Sequence, residues 1–294
     1  MSTPATTDRE VRPPVLPSTL RLGPVHLTVT DVGRSLEFYE TAIGLRLHRR
    51  EGSTAHLGAG AEDLLVLVED PDARPAGRHA GLYHFALLHP SRTELARAVQ
   101  RLARAGTSIS GASDHGISEA IYLSDPDGDG IELAADRPRE HWGELRDPAT
   151  IGPRPLDMEG LMSLVPDGEP PAGASGELVV GHVHLHVGDI ETALGFYRDL
   201  LGFEVMTRFP SAAFVAAGGY HHHVGLNTWR GEGIPPAPAG VVGLRHWTAL
   251  LERDSEVADV RGRLTAAGIE TEEHAGGFMA RDPWNIAVRF AVTP

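Results

Sequence analysis

The chain has 294 residues, contains no cysteine and carries a formal net charge of −14 with histidine neutral. Disulfides, thiolate metal ligands and cysteine nucleophiles are therefore excluded, and a nucleic-acid backbone would be repelled. With 41% hydrophobic and 22% charged residues, and no apolar run of the roughly 18 residues that a membrane-spanning helix needs, the composition is that of a globular protein long enough for two domains.

The segment 1–20 is polar and rich in proline, contains acidic residues and lacks the apolar stretch of a secretory signal. We expect it to be a disordered leader and the protein to be cytoplasmic. A second segment rich in proline and glycine, 139–176, is predicted to link two domains, 21–138 and 177–294.

A repeat with a period of about 160 residues relates the two predicted domains. Residues 24–47 align with residues 182–205 without a gap, with nine identities in 24 positions. This alignment places His26 on His184.

A second alignment pairs residues 81–88 with residues 243–250 and places His84 on His246. Each of these segments is followed by an amphipathic helix pattern that ends at a glycine. Each half of the chain is therefore predicted to contain two units, and each unit has the order strand, helix, then several strands.

Alternation along the predicted strands indicates which face each polar residue occupies. In segment 25–30, His26 points away from the apolar residues, and in segment 131–134 the same holds for Glu132. A carboxylate in such a strand needs a charge partner or water. Two imidazoles and one carboxylate form the minimal protein ligand set of an open, redox-active metal site.

The most specific motif is DHGISEAIYLSDPDGDGIE, which runs from Asp114 to Glu132. A histidine, an apolar–tyrosine pair, Asp-Pro-x-Gly and a following glutamate resemble the signature of type I extradiol ring-cleavage dioxygenases in the vicinal-oxygen-chelate superfamily. The resemblance implies an α+β fold of four βαβββ modules paired into two half-barrel domains of the vicinal-oxygen-chelate type. The repeats independently indicate the same number of units.

The resemblance also implies Fe(II), with Mn(II) as the alternative metal. The ligands would be a histidine on the first strand of one module, a histidine on the first strand of the next, and a glutamate on that module's last strand. In this chain those positions are His26, His84 and Glu132. In the second domain Arg289 stands where Glu132 stands in the first, and a guanidinium offers no lone pair to a metal. We therefore expect the metal in the first domain.

The second domain leaves an alternative metal site open. Its segment 218–229 resembles the histidine-rich strand that supplies the acid/base histidine in extradiol dioxygenases. If a metal lies in this domain, the expected ligands are His184, His246 and His223. In the competing interpretation, His182, His184 and His186 share a strand face and only line a pocket without a metal, in which Arg289 serves as a counter-ion.

Two further residues of the motif are candidates for catalysis. His115 is expected either to act as the base that takes a substrate hydroxyl proton or to be an ordinary polar loop residue. Tyr122 is expected either to hydrogen-bond a substrate oxygen or to serve in packing. The segment 125–128 is predicted to form the turn that positions Glu132.

The predicted function is extradiol cleavage of a catechol-type aromatic by O₂, because three protein ligands leave metal positions for two vicinal hydroxyls and O₂. One alternative is a glyoxalase-like isomerase or lyase, which needs a fourth protein ligand that the apolar segment 64–68 does not offer. The other is a small-molecule-sequestering protein of the bleomycin-resistance type. The expected partners are a small aromatic substrate and O₂, with no nucleic acid and no membrane, and a homo-oligomer is compatible with the sequence.

Overall fold

The structure is a computed structural model that describes residues 15–143, 152–166, 168, 170–274 and 276–294. The order strand, helix and three strands occurs four times along the chain. We call these repeats module 1 (25–69), module 2 (81–136), module 3 (179–227) and module 4 (243–292). They confirm the predicted α+β fold of four βαβββ modules.

The first half of the chain begins with a short strand, β1 (Arg21–Leu22). Module 1 consists of β2 (Val25–Val29), α1 (Val32–Phe38), β3 (Arg46–Glu51), β4 (Thr54–Gly58) and β5 (Leu65–Glu69). Module 2 consists of β6 (Gly81–His89), α2 (Arg92–Arg104), β7 (Gly111–Asp114), β8 (Ser118–Ser124) and β9 (Gly130–Asp136).

The second half follows a segment whose described residues include a short turn of 3₁₀-helix (Arg139–His141) and the helix α3 (Met158–Met162). Module 3 consists of β10 (Val179–His186), α4 (Ile190–Leu194), β11 (Glu204–Phe209), β12 (Ala212–Ala216) and β13 (Val224–Asn227). Module 4 consists of β14 (Gly243–Leu251), α5 (Asp254–Ala266), β15 (Thr271–His274), β16 (Gly277–Arg281) and β17 (Ala287–Val292). A wide π-helical turn extends α1 over Tyr39–Ile43 and α4 over Gly195–Leu200.

The strands form two half-barrel sheets. One sheet has the order β15-β16-β17-β14-β2-β5-β4-β3, with β1 paired to β14, and so combines modules 4 and 1. The other has the order β11-β12-β13-β10-β6-β9-β8-β7 and combines modules 3 and 2. We call them the 1/4 sheet and the 2/3 sheet.

The sheets do not follow the predicted domains 21–138 and 177–294, because each sheet takes one module from each half of the chain. In both sheets the join is an antiparallel pair of first strands, β14 with β2 and β10 with β6. The first strands of all four modules have similar patterns of apolar and polar residues. The repeat therefore identifies the modules without indicating which two modules share a sheet. The two modules of one half remain in contact through their helices, since α2 packs on the π-helical turn after α1.

The predicted disordered leader, residues 1–20, is too long, because its last residues pack against the folded protein. Leu16 is buried and its backbone N–H donates to the carbonyl of Gly202 at 2.8 Å, and Leu20 is buried as well. Residues 1–14 lie outside the described residues. In the linker 139–176, α3 buries Leu161 completely. No helix in the described part of the chain is long and apolar enough to cross a membrane.

The turn before β9 is built around the buried carboxylate of Asp125. Its Oδ1 accepts hydrogen bonds from the backbone N–H groups of Asp127 and Asp129, each at 2.9 Å, and its Oδ2 accepts one from the phenol of Tyr39 at 3.0 Å. Gly128 completes the turn with φ of 92°, which glycine adopts without strain. The turn thereby joins module 1 to module 2 and sets the start of the strand that carries Glu132.

The same arrangement recurs in the second half of the chain. Asp282 is buried, and its Oδ1 accepts from the N–H groups of Trp284 at 2.8 Å and Ile286 at 2.9 Å. Its Oδ2 accepts from the phenol of Tyr197 at 3.1 Å. The Asp-Pro motif is therefore a structural turn in both halves.

We expect Tyr39→Phe and Tyr197→Phe each to lower the free energy of unfolding by about 1–3 kcal/mol, because each leaves a buried carboxylate oxygen without its donor. Urea denaturation measures the change. Tyr83→Phe is the matched control, since this residue is 38% exposed, and its effect should stay within about 0.5 kcal/mol. Equal losses in all three variants would contradict the assignment of the turn.

Candidate functional site

The pairing of β6 with β10 brings a ligand set together on the concave face of the 2/3 sheet. In the antiparallel register His84 lies opposite His184, and Ala86 lies opposite His182. On the other side of β6, the parallel strand β9 places Glu132 opposite Ala86. Glu132 and His182 therefore flank the small side chain of Ala86, and His84 lies two residues before Ala86 on the same strand face.

Three ligand atoms converge at this point. His84 Nε2 is 3.0 Å from Glu132 Oε2, His182 Nε2 is 3.2 Å from the same oxygen, and the two Nε2 atoms are 3.3 Å apart. All three residues are buried. Among the described residues, this is the one group of three histidine or acidic side chains whose ligand atoms lie close enough together to hold a metal ion.

The spacing of these atoms fits one face of an octahedral site. Adjacent ligands at about 2.1 Å from an octahedral ion are about 3.0 Å apart, close to the 3.0, 3.2 and 3.3 Å observed. Two imidazoles and one carboxylate on one face are the donor set of non-haem Fe(II) oxygenases. The residues present therefore fit a divalent transition-metal ion with open positions toward the cavity.

Electrostatics keep the carboxylate of Glu132 ionised. Burial by itself would raise the pKa of Glu132, but the interaction with His182 and the hydrogen bonds from His182 and His84 outweigh burial and hold this pKa well below its usual range. Burial lowers the pKa of His84 in spite of its contact with Glu132. An ionised carboxylate beside a neutral imidazole is the protonation state that metal binding requires.

The structure does not bring His26 to the predicted site with His84 and Glu132. His26 lies on β2 in the 1/4 sheet, opposite His246, with the two rings stacked 3.9 Å apart. Burial, followed by the nearby charges of His246 and Arg289, lowers the pKa of His26 to about 2. The counterpart of His26 is His184, which lines the cavity and lies opposite His84, with the two ring centroids 5.0 Å apart.

The alternative set His184, His246 and His223 is not assembled either. His184 lies in the 2/3 sheet and His246 in the 1/4 sheet, and His223 precedes β13 in a loop. The 1/4 sheet repeats the backbone of the ligand site but has Pro24 at the position of His182 and Arg289 at the position of Glu132. This sheet thus lacks the ligand set of the 2/3 sheet.

A cavity of about 590 Å³ lies on the concave face of the 2/3 sheet. Its polar lining includes His84, Glu132, His115, Tyr122, His184 and His222. Its apolar lining includes Tyr83, Trp229, Phe209, Phe214 and Ile117. Trp229 is 53% exposed whereas Glu132 is 3% exposed, so the ligand set lies at the base of the cavity and aromatic rings lie at its mouth.

His115 and Tyr122 line this cavity beside the ligand set. Tyr122 lies opposite Glu132 on the neighbouring strand β8, and His115 Nε2 is 2.8 Å from the phenol oxygen of Tyr122. Burial lowers the pKa of His115 and raises that of Tyr122. A neutral imidazole and a neutral phenol therefore face the space next to Glu132.

The histidine-rich segment adds a third group to the cavity. Strand alternation does not apply to His221, His222 and His223, because they lie in the loop between β12 and β13. The ring of His222 lies 4.1 Å from that of His182, while His221 contacts the carboxylate of Asp136 at 2.9 Å. The loop thus places His222 at the ligand set.

A glycine on the neighbouring strand leaves room for the ring of His184 in the wall of the cavity. Gly225 lies opposite His184, and a Cβ at this position would be 2.7 Å from the imidazole Cγ. His184 is buried and its Nε2 has no hydrogen-bond partner among the described residues. This nitrogen is available to a bound ligand.

His182 is the ligand candidate that the sequence argument did not place in the metal site. Recurrence in the sequence selects His26 and His184, whereas the counterpart of His182 is Pro24. The usable signal was the shared face of His182 and His184 on one strand. This shared face identifies His182 as a ligand candidate only when β10 is known to pair with β6.

A family model with the description "Glyoxalase/Bleomycin resistance protein/Dioxygenase superfamily" matches residues 21–133 and 179–290. The chain belongs to this superfamily, which confirms the resemblance drawn from the motif between Asp114 and Glu132. The two matched segments correspond to the two halves related by the repeat.

Among curated relatives, the chain is 42% identical over 268 residues to a protein named catechol-2,3-dioxygenase from Bacillus subtilis (strain 168), with coverage of 89% of this chain and 93% of that protein.

Two solved structures show the same fold. One is a candidate dioxygenase of Bacillus subtilis, with a TM-score of 0.64 and 15% identity, covering 92% of this chain and 85% of that one. The other is glyoxalase I of Zea mays, with a TM-score of 0.59 and 18% identity, covering 92% of both chains.

We expect one divalent ion per chain to bind at the base of the cavity. His84→Ala, His182→Ala and Glu132→Ala should each weaken its affinity by at least about 100-fold, because each removes one of three ligands. Equilibrium dialysis against Fe(II) under anaerobic conditions, and against Mn(II), measures the binding.

The matched controls for this experiment are His26→Ala and His246→Ala, which remove imidazoles from the corresponding strands of the 1/4 sheet. Both should bind the ion as the parent protein does. Loss of binding in His26→Ala with retention in His182→Ala would contradict the ligand set described above.

Proposed function

We propose that this protein is a metal-dependent extradiol dioxygenase that cleaves the ring of a catechol-type aromatic with O₂. The observation that carries the proposal is the convergence of His84, His182 and Glu132 at the base of an aromatic-lined cavity. The 42% sequence identity to a catechol-2,3-dioxygenase over most of the chain supports the same activity.

In this proposal His84, His182 and Glu132 hold the metal, which we take to be Fe(II), with Mn(II) as the alternative. The bound ion would acidify a coordinated hydroxyl and bring the diol and O₂ into contact. Three protein ligands instead of four leave room for both reactants. Glu132 supplies the negative charge that favours a divalent cation. Because Glu132 is buried, bulk water does not compete with the cation for the carboxylate.

The cavity suits an aromatic substrate. Tyr83 and Trp229 are the two aromatic side chains among the described residues that are exposed by more than a third, and both line the cavity with their rings 5.3 Å apart. Glu132 is the one formally charged residue among the described lining residues. An uncharged ring can therefore pack at the mouth while its hydroxyls reach the polar base.

Two imidazoles are placed to take a hydroxyl proton from the substrate. His115 is hydrogen-bonded to the phenol of Tyr122, and His222 lies against the ring of His182. Burial lowers the pKa of both histidines, so both are neutral and able to accept a proton. Tyr122 is placed to donate a hydrogen bond to a substrate oxygen.

A glyoxalase-like isomerase fits the site less well. Such an enzyme needs a fourth protein ligand, and β13, the strand of module 3 that lies beside β10, has the sequence VGLN without an acidic or histidine residue. The sequestering function of a bleomycin-resistance protein needs no metal, so the metal titration separates it from the proposed enzyme.

Anaerobically prepared protein loaded with Fe(II), then given catechol and O₂, should form a yellow ring-cleaved product with consumption of one O₂ per catechol. The same experiment with Mn(II) identifies the more active metal. His182→Ala serves as the inactive control and His26→Ala as the active one. A metal-loaded protein that cleaves none of several catechols would exclude the proposed activity.

We expect His115→Ala and His222→Ala to differ in their effects on turnover. The variant that lacks the base should lose about 10²- to 10⁴-fold in kcat, and the other variant should lose less. Tyr122→Phe should lower kcat while the metal content stays at that of the parent protein. Steady-state kinetics with metal analysis measures these effects, and full activity in both histidine variants would rule out both as the base.

A further inference from the structure

A chain of hydrogen bonds connects the cavity to a partly exposed carboxylate. Asp136 Oδ1 is 2.9 Å from His221 Nε2, and His221 Nδ1 is 2.8 Å from His222 Nδ1. His221 is buried, whereas the side chain of Asp136 is 21% exposed. His222, at the inner end of the chain, lines the cavity beside His182.

The identity of the groups determines the direction of each hydrogen bond. An ionised carboxylate only accepts, so His221 Nε2 must carry the hydrogen that it donates to Asp136. With His221 neutral, its imidazole has one donor and one acceptor nitrogen, so His221 Nδ1 is then the acceptor. The hydrogen between the two Nδ1 atoms must therefore belong to His222.

This direction leaves a lone pair at the other nitrogen of His222. With its hydrogen on Nδ1 and bonded to His221, His222 has an unprotonated Nε2 on the opposite side of the ring. Free histidine favours the reverse tautomer, with the hydrogen on Nε2, and the hydrogen bond that one nitrogen makes decides which tautomer is present. Without the chain, the Nε2 of His222 would favour the donor form over the acceptor form.

Asp136 is itself held in place by a second donor. The phenol of Tyr220 donates to Asp136 Oδ2 at 2.9 Å, so each carboxylate oxygen has one donor. The ring of Tyr220 packs against that of His221 with centroids 4.0 Å apart and planes tilted by 36°, and it lies near Trp142 at 5.8 Å. These contacts fix the orientation of His221 without touching the cavity.

We propose that Asp136 and His221 are positioning residues that hold His222 in the Nδ1–H tautomer, so that its Nε2 can accept a proton from a substrate hydroxyl. This role for His222 rests on the proposed function, whereas the tautomer follows from the hydrogen-bond chain with a neutral His221 and an ionised Asp136. A tautomer measurement on the protein without substrate therefore tests the inference separately from the activity.

The first experiment is ¹⁵N NMR of histidine-labelled, metal-free protein, with signals assigned through His221→Gln and His222→Gln. Protonated and unprotonated ring nitrogens have distinct ¹⁵N shifts and couplings. We expect His221 as the Nε2–H tautomer and His222 as the Nδ1–H tautomer. An Nε2–H tautomer at His222, or a doubly protonated His221, would overturn the inference whether or not the protein is an active dioxygenase.

The second experiment removes the outer end of the chain. In Asp136→Ala, His222 should shift toward the Nε2–H tautomer, and kcat should fall by roughly 10- to 100-fold with KM and metal content unchanged. A merely structural role of Asp136 would leave the tautomer of His222 unchanged.

Asp63→Ala is the matched control, because it removes an equally exposed carboxylate that contacts His48 and His56 in the 1/4 sheet, each at 2.8 Å, and leaves the chain from Asp136 to His222 intact. It should keep the parent tautomer and a kcat close to that of the parent. The same tautomer of His222 in the parent and in Asp136→Ala would contradict the proposal, and the NMR measurement on the parent remains decisive should Asp136→Ala fail to fold.

Discussion

The antiparallel pairing of β6 with β10 is the interaction on which the candidate site depends. It brings His84 from the first half of the chain beside His182 from the second half, and the neighbouring strand β9 adds Glu132. Side chains alternate between the faces of a strand, so a slip of one residue would turn the histidines of β10 away from the cavity. The ligand set therefore exists only in this one register.

The 1/4 sheet shows how little of the chemistry the fold itself determines. It has the same strand order and the same pairing of first strands, and it places His26 against His246 as the 2/3 sheet places His184 against His84. A guanidinium at Arg289 in place of a carboxylate replaces attraction for a cation by repulsion. The same backbone arrangement thus carries a negative side chain in the 2/3 sheet and a positive one in the 1/4 sheet. The side chains, and not the fold, determine which sheet can bind a cation.

Much of the fold was predictable, because its signals are local. Apolar alternation and helix-ending glycines are properties of short segments, and the repeat of about 160 residues identified four modules. The extent of the leader was not predictable in this way, since the burial of Leu16 depends on a contact with Gly202, far away in the chain. The pairing of modules across the two halves was not predictable either, because all four first strands are alike in pattern.

The sequence by itself determined that Glu132 points away from the apolar residues of its strand, that His84 recurs as His246, and that His115 and Tyr122 lie in one motif with Glu132. Only the tertiary structure decided that His182, and not His26, completes the set. The physical reason is that the alternation of side chains is encoded within a short segment, whereas the strand that pairs with the first strand of a module depends on long-range packing. A metal site assembled across two sheet partners is therefore visible only after those partners are known.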